Sequence, residues 1–287
     1  MRKNCLFSRN DNDLINFSNL AGRSASTPEQ LRRMALQSTL YEPVTRALIT
    51  SAGIAQGSKV LDIGSGAGDF SFLLADVVGP GGSVVGVDHD PMMIATARDE
   101  AEKQKRTNVQ FLHADVRSAF LDCDYDAVAG RWILAHLPRA DHLLRSLIRY
   151  VRPGGTVAFQ EFDRRLTGAT SLNPSDLEGL SPLLTRSEAA SSPGAGMGLE
   201  LHTAFLKAGI PAPHLALSAP VGAGPGWLGY DYLAADADHH FHFPRPNDAP
   251  TACHADRAIS LRERALGAGA AFALPPLVAA HAQLPEL

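Results

Sequence analysis

VLDIGSGAGDF, Val60–Phe70, is the stretch on which the reading of this chain turns. Val60, Leu61 and Ile63 form a short apolar run. Gly64, Gly66 and Gly68 follow at alternate positions, and Phe70, Phe72, Leu73, Leu74, Val77 and Val78 recur at helical spacing. The pattern predicts a strand, a tight glycine turn and a helix. Glycine lets the backbone turn sharply and come close to a ligand, and the first N–H groups of a helix have no partner within it. The alternate spacing differs from the G-x-G-x-x-G of dinucleotide-binding folds, which disfavours a dehydrogenase.

Upstream, Thr27-Pro28-Glu29-Gln30 reads as a capped helix start, with Pro28 at the first helical position. Leu31, Met34, Ala35, Leu40, Val44, Ala47 and Leu48 keep helical spacing, and Pro43 is expected to split the pattern into helices near 28–41 and 43–52, closed by Gly53. Residues 1–26 are polar and expected to be mobile. Downstream, apolar runs at 83–88, 109–113, 125–130 and 156–161 join 59–63 as strand candidates, each set off by turns such as Gly79-Pro80-Gly81-Gly82 and Pro153-Gly154-Gly155. Leu143, Leu144, Leu147, Ile148 and Val151 make one apolar helix face between the fourth and fifth. Regular β–α alternation predicts a mostly parallel, doubly wound sheet covered on both faces. Past Phe162 the pattern loosens. A helix near 199–208, a strand at 215–221, a helix at 256–268 and a last apolar run at 277–282 are expected.

The 287 residues are 45% apolar and 20% charged, with a net charge of −4 and no basic stretch, so nucleic acid is not an expected partner. Cys5, Cys123 and Cys253 are odd in number and far apart, which suggests neither a disulfide framework nor a zinc knuckle. No apolar run approaches the roughly 20 residues of a membrane span. A cytoplasmic protein with no membrane partner is the expectation, and a homodimer is left open.

Three motifs in order, DIGSGAGD, VVGVDHDPMM (84–93) and FLHADV (111–116), resemble those of the class I S-adenosylmethionine-dependent methyltransferases. The resemblance covers about Leu31 to Phe162 and continues more weakly to the C-terminus. It implies an α/β fold with a mostly parallel seven-stranded sheet, the Rossmann-like methyltransferase fold, formed as one domain over 27–287. In it, 27–52 is a helical lid, 165–198 and 223–268 are substrate-side cap insertions, and the final two strands pair at the sheet edge. The implied cosubstrate is S-adenosyl-L-methionine. Asp62, Gly64, Ser65 and Gly66 fall at the positions for its amino-acid end, with Asp62 near the ammonium. Asp88 falls at the position for the ribose hydroxyls. Asp115 and the backbone of Val116 fall at the adenine. His89 and Met93 either flank the adenine or are a solvated loop histidine and a core methionine. Asp90, with Pro91 after it, reads as a helix cap.

The fourth region, YDAVAGRWILAHLPR, separates classes within the family. It lacks the Asn/Asp-Pro-Pro-aromatic motif of nucleobase amino-methyltransferases, the metal-binding acid of catechol-type enzymes and the paired glutamates of protein arginine methyltransferases; no metal is expected. Arg131 resembles a position near the methionine carboxylate, or is a surface arginine. His136 is a candidate general base, or a histidine packed under the Leu-Pro turn. Glu161 is a second catalytic candidate, and Glu161 and Asp163 sit at the carboxyl edge, where either binding or capping is open. The run of His239, His240 and His242 lacks ligand spacing on a regular element and reads as a surface loop. The implied activity is methyl transfer to an oxygen, nitrogen or carbon of a small molecule. The alternatives are a cyclisation on the same fold, of substrate or of S-adenosylmethionine, and a non-catalytic sensor of that molecule.

Overall fold

Strand residues of this chain alternate between two apolar faces, and helices cover both. The computed structural model describes residues 28–116, 121–166, 194–233, 235 and 254–286. The strands are β1 (Lys59–Ile63), β2 (Ser83–Asp88), β3 (Val109–His113), β4 (Tyr125–Arg131), β5 (Val151–Phe162), β6 (His214–Ser218), β7 (Val221–Gly222), β8 (Phe272–Ala273) and β9 (Leu277–Gln283). The helices are α1 (Pro28–Ser51), α2 (Asp69–Val78), α3 (Pro91–Lys103), α4 (Ala140–Leu147), α5 (Met197–Ala208) and α6 (His254–Ala268).

Seven strands form one sheet in the order β3-β2-β1-β4-β5-β9-β6, and β7 pairs with β8 apart from it. β1 to β5 run parallel, while β9 lies antiparallel between β5 and β6. Val60, Ala127, Ala129 and Ala158 face α2 and α3, in a cluster with Phe70, Leu74 and Ile94. Leu61, Ile63, Val128, Val157 and Phe159 face α4 and α5, in a cluster with Leu144, Leu201 and Phe205. Burial on both faces is what near-continuous apolar strands require. A third cluster joins Tyr41 of α1, Phe162 at the end of β5, and Tyr230, Tyr232, Leu261 and Phe272 of the C-terminal part.

Three expectations are corrected. α1 is one helix through Pro43, not two. Tertiary contacts on both sides hold it: Tyr41 donates its hydroxyl to the Pro275 carbonyl at 2.8 Å, and Thr45 donates to Gln160 Oε1 at 2.9 Å. Those bonds, with the buried Leu48 and Ile49, offset the roughly 3 kcal/mol that an interior proline costs. The strand expected at 215–221 is two strands, because Pro220 has no N–H to donate to a ladder; its carbonyl instead accepts from Leu274. The strand expected at 156–161 starts earlier, at Val151, with a register shift between Tyr125 and Ala127. Gly53 follows α1 at φ 72°, and the final pairing of β6 with β9 is antiparallel with β6 at the edge. Most of the expected cap insertions, the His239–His242 run and residues 1–26 lie outside the described residues, as does Thr27. Among the described residues no helix is long and apolar enough to cross a membrane.

Candidate functional site

The carboxyl ends of β1, β2 and β4 converge on the glycine turn. Gly64 and Ser65 donate their N–H groups to the Val87 carbonyl at 2.9 and 3.1 Å, so the turn folds back onto β2. Gly64 has φ 72°, and a Cβ built there would stand 2.8 Å from the Ile133 side chain. Only glycine fits at this position, both for its backbone and for its contact. Met34 of α1 lies over the turn, its methyl 3.9 Å from where a Gly66 Cβ would stand.

Asp62 is fully buried, and its Oδ2 accepts from Ser71 Oγ at 2.5 Å, while Oδ1 has no partner among the described residues. Desolvation raises its pKa to about 7, against the opposing pull of the Ser71 hydroxyl and of Arg131. Ser65 Oγ, on the turn, is likewise buried without a partner among the described residues. At the end of β2, Asp88 accepts the Gly66 N–H on Oδ2 and the Asp90 N–H on Oδ1, both at 2.9 Å, and His89 Nδ1 lies 3.3 Å from Oδ1. Burial works against the Asp88 charge, but these hydrogen bonds outweigh it and hold the carboxyl below its ordinary range. The same contact raises the His89 pKa. Asp90 accepts from Met92 and Met93 N–H and caps α3, with Pro91 next.

Beside Asp88 a cavity of about 50 Å³ is ringed by Val87, His89, Asp115, Val116, Ile133 and Leu137, among others. The structure therefore brings Gly64, Asp88, His89, Asp115 and Val116 to one place, while Met93 stands on the first turn of α3 outside the ring.

Arg131 is not a surface arginine. It is 6% exposed, and its guanidinium donates to Thr45 Oγ1 and Ser38 Oγ of α1, each at 3.3 Å. It lies over the rings of Trp132, 4.1 Å from the centroid, and Phe70, at 5.3 Å. Desolvation lowers its pKa to about 10, opposed by the charges of Asp69, Asp62 and Glu42.

Glu161 is buried, with both carboxylate oxygens engaged by backbone N–H groups. Its Oε1 accepts the N–H groups of Ile133 and Leu134 at 2.9 and 2.7 Å, and Oε2 accepts that of Ala135 at 3.4 Å. It anchors the turn after β4, and burial raises its pKa to about 7 despite the three N–H donors. Asp163 is buried against the Arg165 side chain and the Leu199 N–H. His136 ends the short 3₁₀ turn Leu134–His136 that Glu161 holds, and its side chain is exposed. Among the described residues no group of three or more His, Cys, Asp or Glu is arranged to hold a metal ion.

Sequence reasoning missed Ser71, Thr45 and Trp132. Ser71, on the first turn of α2, had a signal in its spacing nine residues from Asp62. Thr45 had none, because α1, which carries it, meets Arg131 and Gln160 only through the tertiary fold.

A parallel sheet with a glycine turn after β1 and acids at the ends of the next two strands defines the class I, S-adenosylmethionine-dependent methyltransferase type of domain. Residues 54–200 match the family model described as a methyltransferase domain, and the chain belongs to that family. It is 33% identical over 143 residues to a ubiquinone/menaquinone biosynthesis C-methyltransferase of Ectopseudomonas mendocina, covering 49% of this chain and 56% of the relative. The chain thus spans about half the length of the curated relatives it matches. Among solved structures, Haemonchus contortus phosphoethanolamine N-methyltransferase 2, in complex with S-adenosyl-L-methionine, aligns with a TM-score of 0.55 at 16% identity, covering 96% of this chain and 61% of the other. The [4+2]-cyclase SpnF aligns at 0.53 and 17% identity, covering 85% and 82%. At those identities the likeness is one of fold.

Proposed function

We propose that this chain transfers the methyl group of S-adenosylmethionine to a small-molecule acceptor without a metal. The observation that carries this reading is the pair of buried, unpartnered atoms at the glycine turn, Asp62 Oδ1 and Ser65 Oγ. Unpaired buried polar atoms are rare, and a ligand with an ammonium and further donors satisfies both. The other groups suit the same ligand. Arg131 supplies a desolvated cation for the carboxylate of the amino-acid end. Asp88 Oδ2 keeps a lone pair beyond the one the Gly66 N–H uses, enough for a ribose hydroxyl, while Oδ1 is shared by the Asp90 N–H and His89. The cavity beside it, bounded by His89, Asp115 and Val116, suits the edge of a flat base, and Gly64 and Gly66 let the ligand approach the backbone.

The sulfonium supplies an activated methyl carbon: it bonds to the acceptor as its bond pair stays on sulfur, and the acceptor's proton is released. The chain's part is therefore to bind, orient and exclude water. Asp62 neutralises the ammonium in a dry site. Arg131, tied to α1 through Ser38 and Thr45, couples the covering helix to the occupied turn. Glu161 fixes the 133–135 backbone, so its role is positioning. His136 is the remaining candidate for removing the acceptor's proton. The C-methyltransferase named among the relatives supports a small-molecule acceptor.

Incubation with methyl-labelled S-adenosylmethionine and a panel of small acceptors is expected to give S-adenosylhomocysteine and labelled product. Methylthioadenosine would indicate cyclisation of the cosubstrate instead. Tight binding without turnover of any acceptor would indicate a sensor.

A further inference from the structure

The amino ends of β1, β4 and β5, the carboxyl end of β9 and the start of β6 lie at the edge of the sheet opposite the glycine turn. There a cavity of about 790 Å³ is lined by Ser51, Asp126, Arg152, His214 and His281, among others. His214 and His281 are direct partners across the antiparallel β6–β9 ladder, so both side chains leave the same face of the sheet. Their ring centroids stand 5.1 Å apart. Two imidazoles on one tetrahedral zinc ion, each with its nitrogen about 2 Å from the metal, place their centroids about 5 Å apart. The pair is thus spaced for one shared ion. His281 Nε2 meets Ser51 Oγ, at the end of α1, at 2.8 Å. That bond orients the ring and leaves Nδ1 for a metal, the usual arrangement in which one imidazole nitrogen is held and the other ligates. Burial, and then the neighbouring His214, lower the His281 pKa, which favours the neutral, ligating ring. The His214 ring is exposed and makes no hydrogen bond among the described residues. Asp126, the acid in the same cavity, engages its oxygens with the Lys59 N–H and Arg152 Nε, both at 2.7 Å, so it is no third ligand.

We propose that His214 and His281 bind a divalent transition metal of the zinc type, at the edge of the sheet away from the glycine turn. Two imidazoles select zinc, copper or nickel over magnesium and calcium, which need oxygen ligands. Water fills the remaining positions. The ion stands apart from the proposed methyl-transfer site and has no part in that step. Its effect is to tie the two strands together. Among the described residues β6 is bonded in the sheet only to β9, and the ion joins them through side chains as well as through their ladder. The site exists only where the two strands are paired, so the ion binds the folded chain and stabilises it.

The test is a calorimetric titration with Zn²⁺, with thermal unfolding beside it, on the full chain without a histidine tag. His239, His240 and His242 are first replaced by asparagine, so that this run contributes nothing to binding. Zn²⁺ is expected to bind this background and to raise its Tm, and Mg²⁺ to do neither. His214→Ala and His281→Ala, made in the background, should each weaken Zn²⁺ binding at least about 10-fold and remove the rise in Tm, with S-adenosylhomocysteine affinity unchanged in His214→Ala. The inference is overturned if Zn²⁺ does not bind the background, if saturating Zn²⁺ leaves its Tm where it was, if Mg²⁺ binds as well, or if His214→Ala binds Zn²⁺ like the background. Should His281→Ala fail to fold, His214→Ala, at an exposed position, decides the matter alone. If S-adenosylhomocysteine fails to bind, the reading of the glycine turn falls and this inference stands.

Discussion

Glu161 Oε1 accepts the N–H of Leu134 at 2.7 Å, a bond that crosses from β5 to the turn after β4. With the bonds from Ile133 and Ala135, it makes this carboxylate the anchor of the turn that follows Arg131 and Trp132. Glu161→Ala leaves three backbone donors unmade and is expected to destabilise by roughly 3 kcal/mol or more. Glu161→Gln keeps an acceptor oxygen and should cost less. Urea denaturation of both variants measures this. A Gln variant that folds at wild-type stability yet has lost all turnover would instead mark Glu161 as a base.

Asp62 links stability to pH. Its folded pKa, about 7, lies above the ordinary 3.8, so the folded state holds a proton that the unfolded state releases. The contribution is fully present below pH ~4 and is lost as pH rises to about 7, on the order of 4 kcal/mol. Glu161 adds in the same direction over its own window up to about 7. Asp62→Asn is expected to flatten the fall of Tm with pH across this range. The ligand reverses the sign. An ammonium at Oδ1 favours the carboxylate, so S-adenosylhomocysteine affinity should weaken below pH 7 in the wild type and not in Asp62→Asn.

Asp88→Ala removes the acceptor for the Gly66 and Asp90 N–H groups together with the proposed ribose contact. Charge-assisted hydrogen bonds contribute about 1.5–3 kcal/mol each. A fall of about 10- to 100-fold in S-adenosylhomocysteine affinity is expected by calorimetry, with Asp88→Asn intermediate.

Gly64→Ala tests close approach at the turn. The new methyl group would stand 2.8 Å from Ile133 at a φ of 72°. We expect a loss of about 1–3 kcal/mol in stability and no measurable S-adenosylhomocysteine binding at protein concentrations where the wild type saturates.

Pro43→Ala is expected to stabilise. Pro43 is exposed and interior to α1, so alanine restores a helical N–H donor and removes the ring's clash without emptying a packed site. After the greater freedom of the unfolded chain is offset, a gain of about 2 kcal/mol should appear as a raised Tm.

What was legible in the chain is what is local in it. The glycine turn, Asp88 ending β2, and Asp90 capping α3 with Pro91 all depend on neighbours within a few residues, and each leaves a pattern in sequence. The parallel sheet was legible because its apolar runs are punctuated by Gly and Pro. Glu161 was not: its three donors lie 26 to 28 residues away, and an acid at a strand end looks the same whether it caps, binds or catalyses. Arg131 was legible in position but not in burial, because Thr45 stands 86 residues upstream of it. Trp132 carries its strain in a φ of 61°, which nothing in the residue type reveals. α1 defied its own proline because contacts with Gln160 and Pro275, more than a hundred residues on, outweigh a local rule.

The placement of β9 between β5 and β6 bears on how the chain is made. Among the described residues β6 has no neighbour in the sheet but β9, which follows it by roughly 60 residues. At about 5–20 residues per second of synthesis, the β6 segment waits on the order of seconds with its strand partner not yet made. Exposed Leu215 and Leu217 make that waiting strand adhesive. On the ribosome, therefore, the half of the sheet carrying the glycine turn can assemble before the half that bears β6, and this interval is when the nascent chain most needs a chaperone.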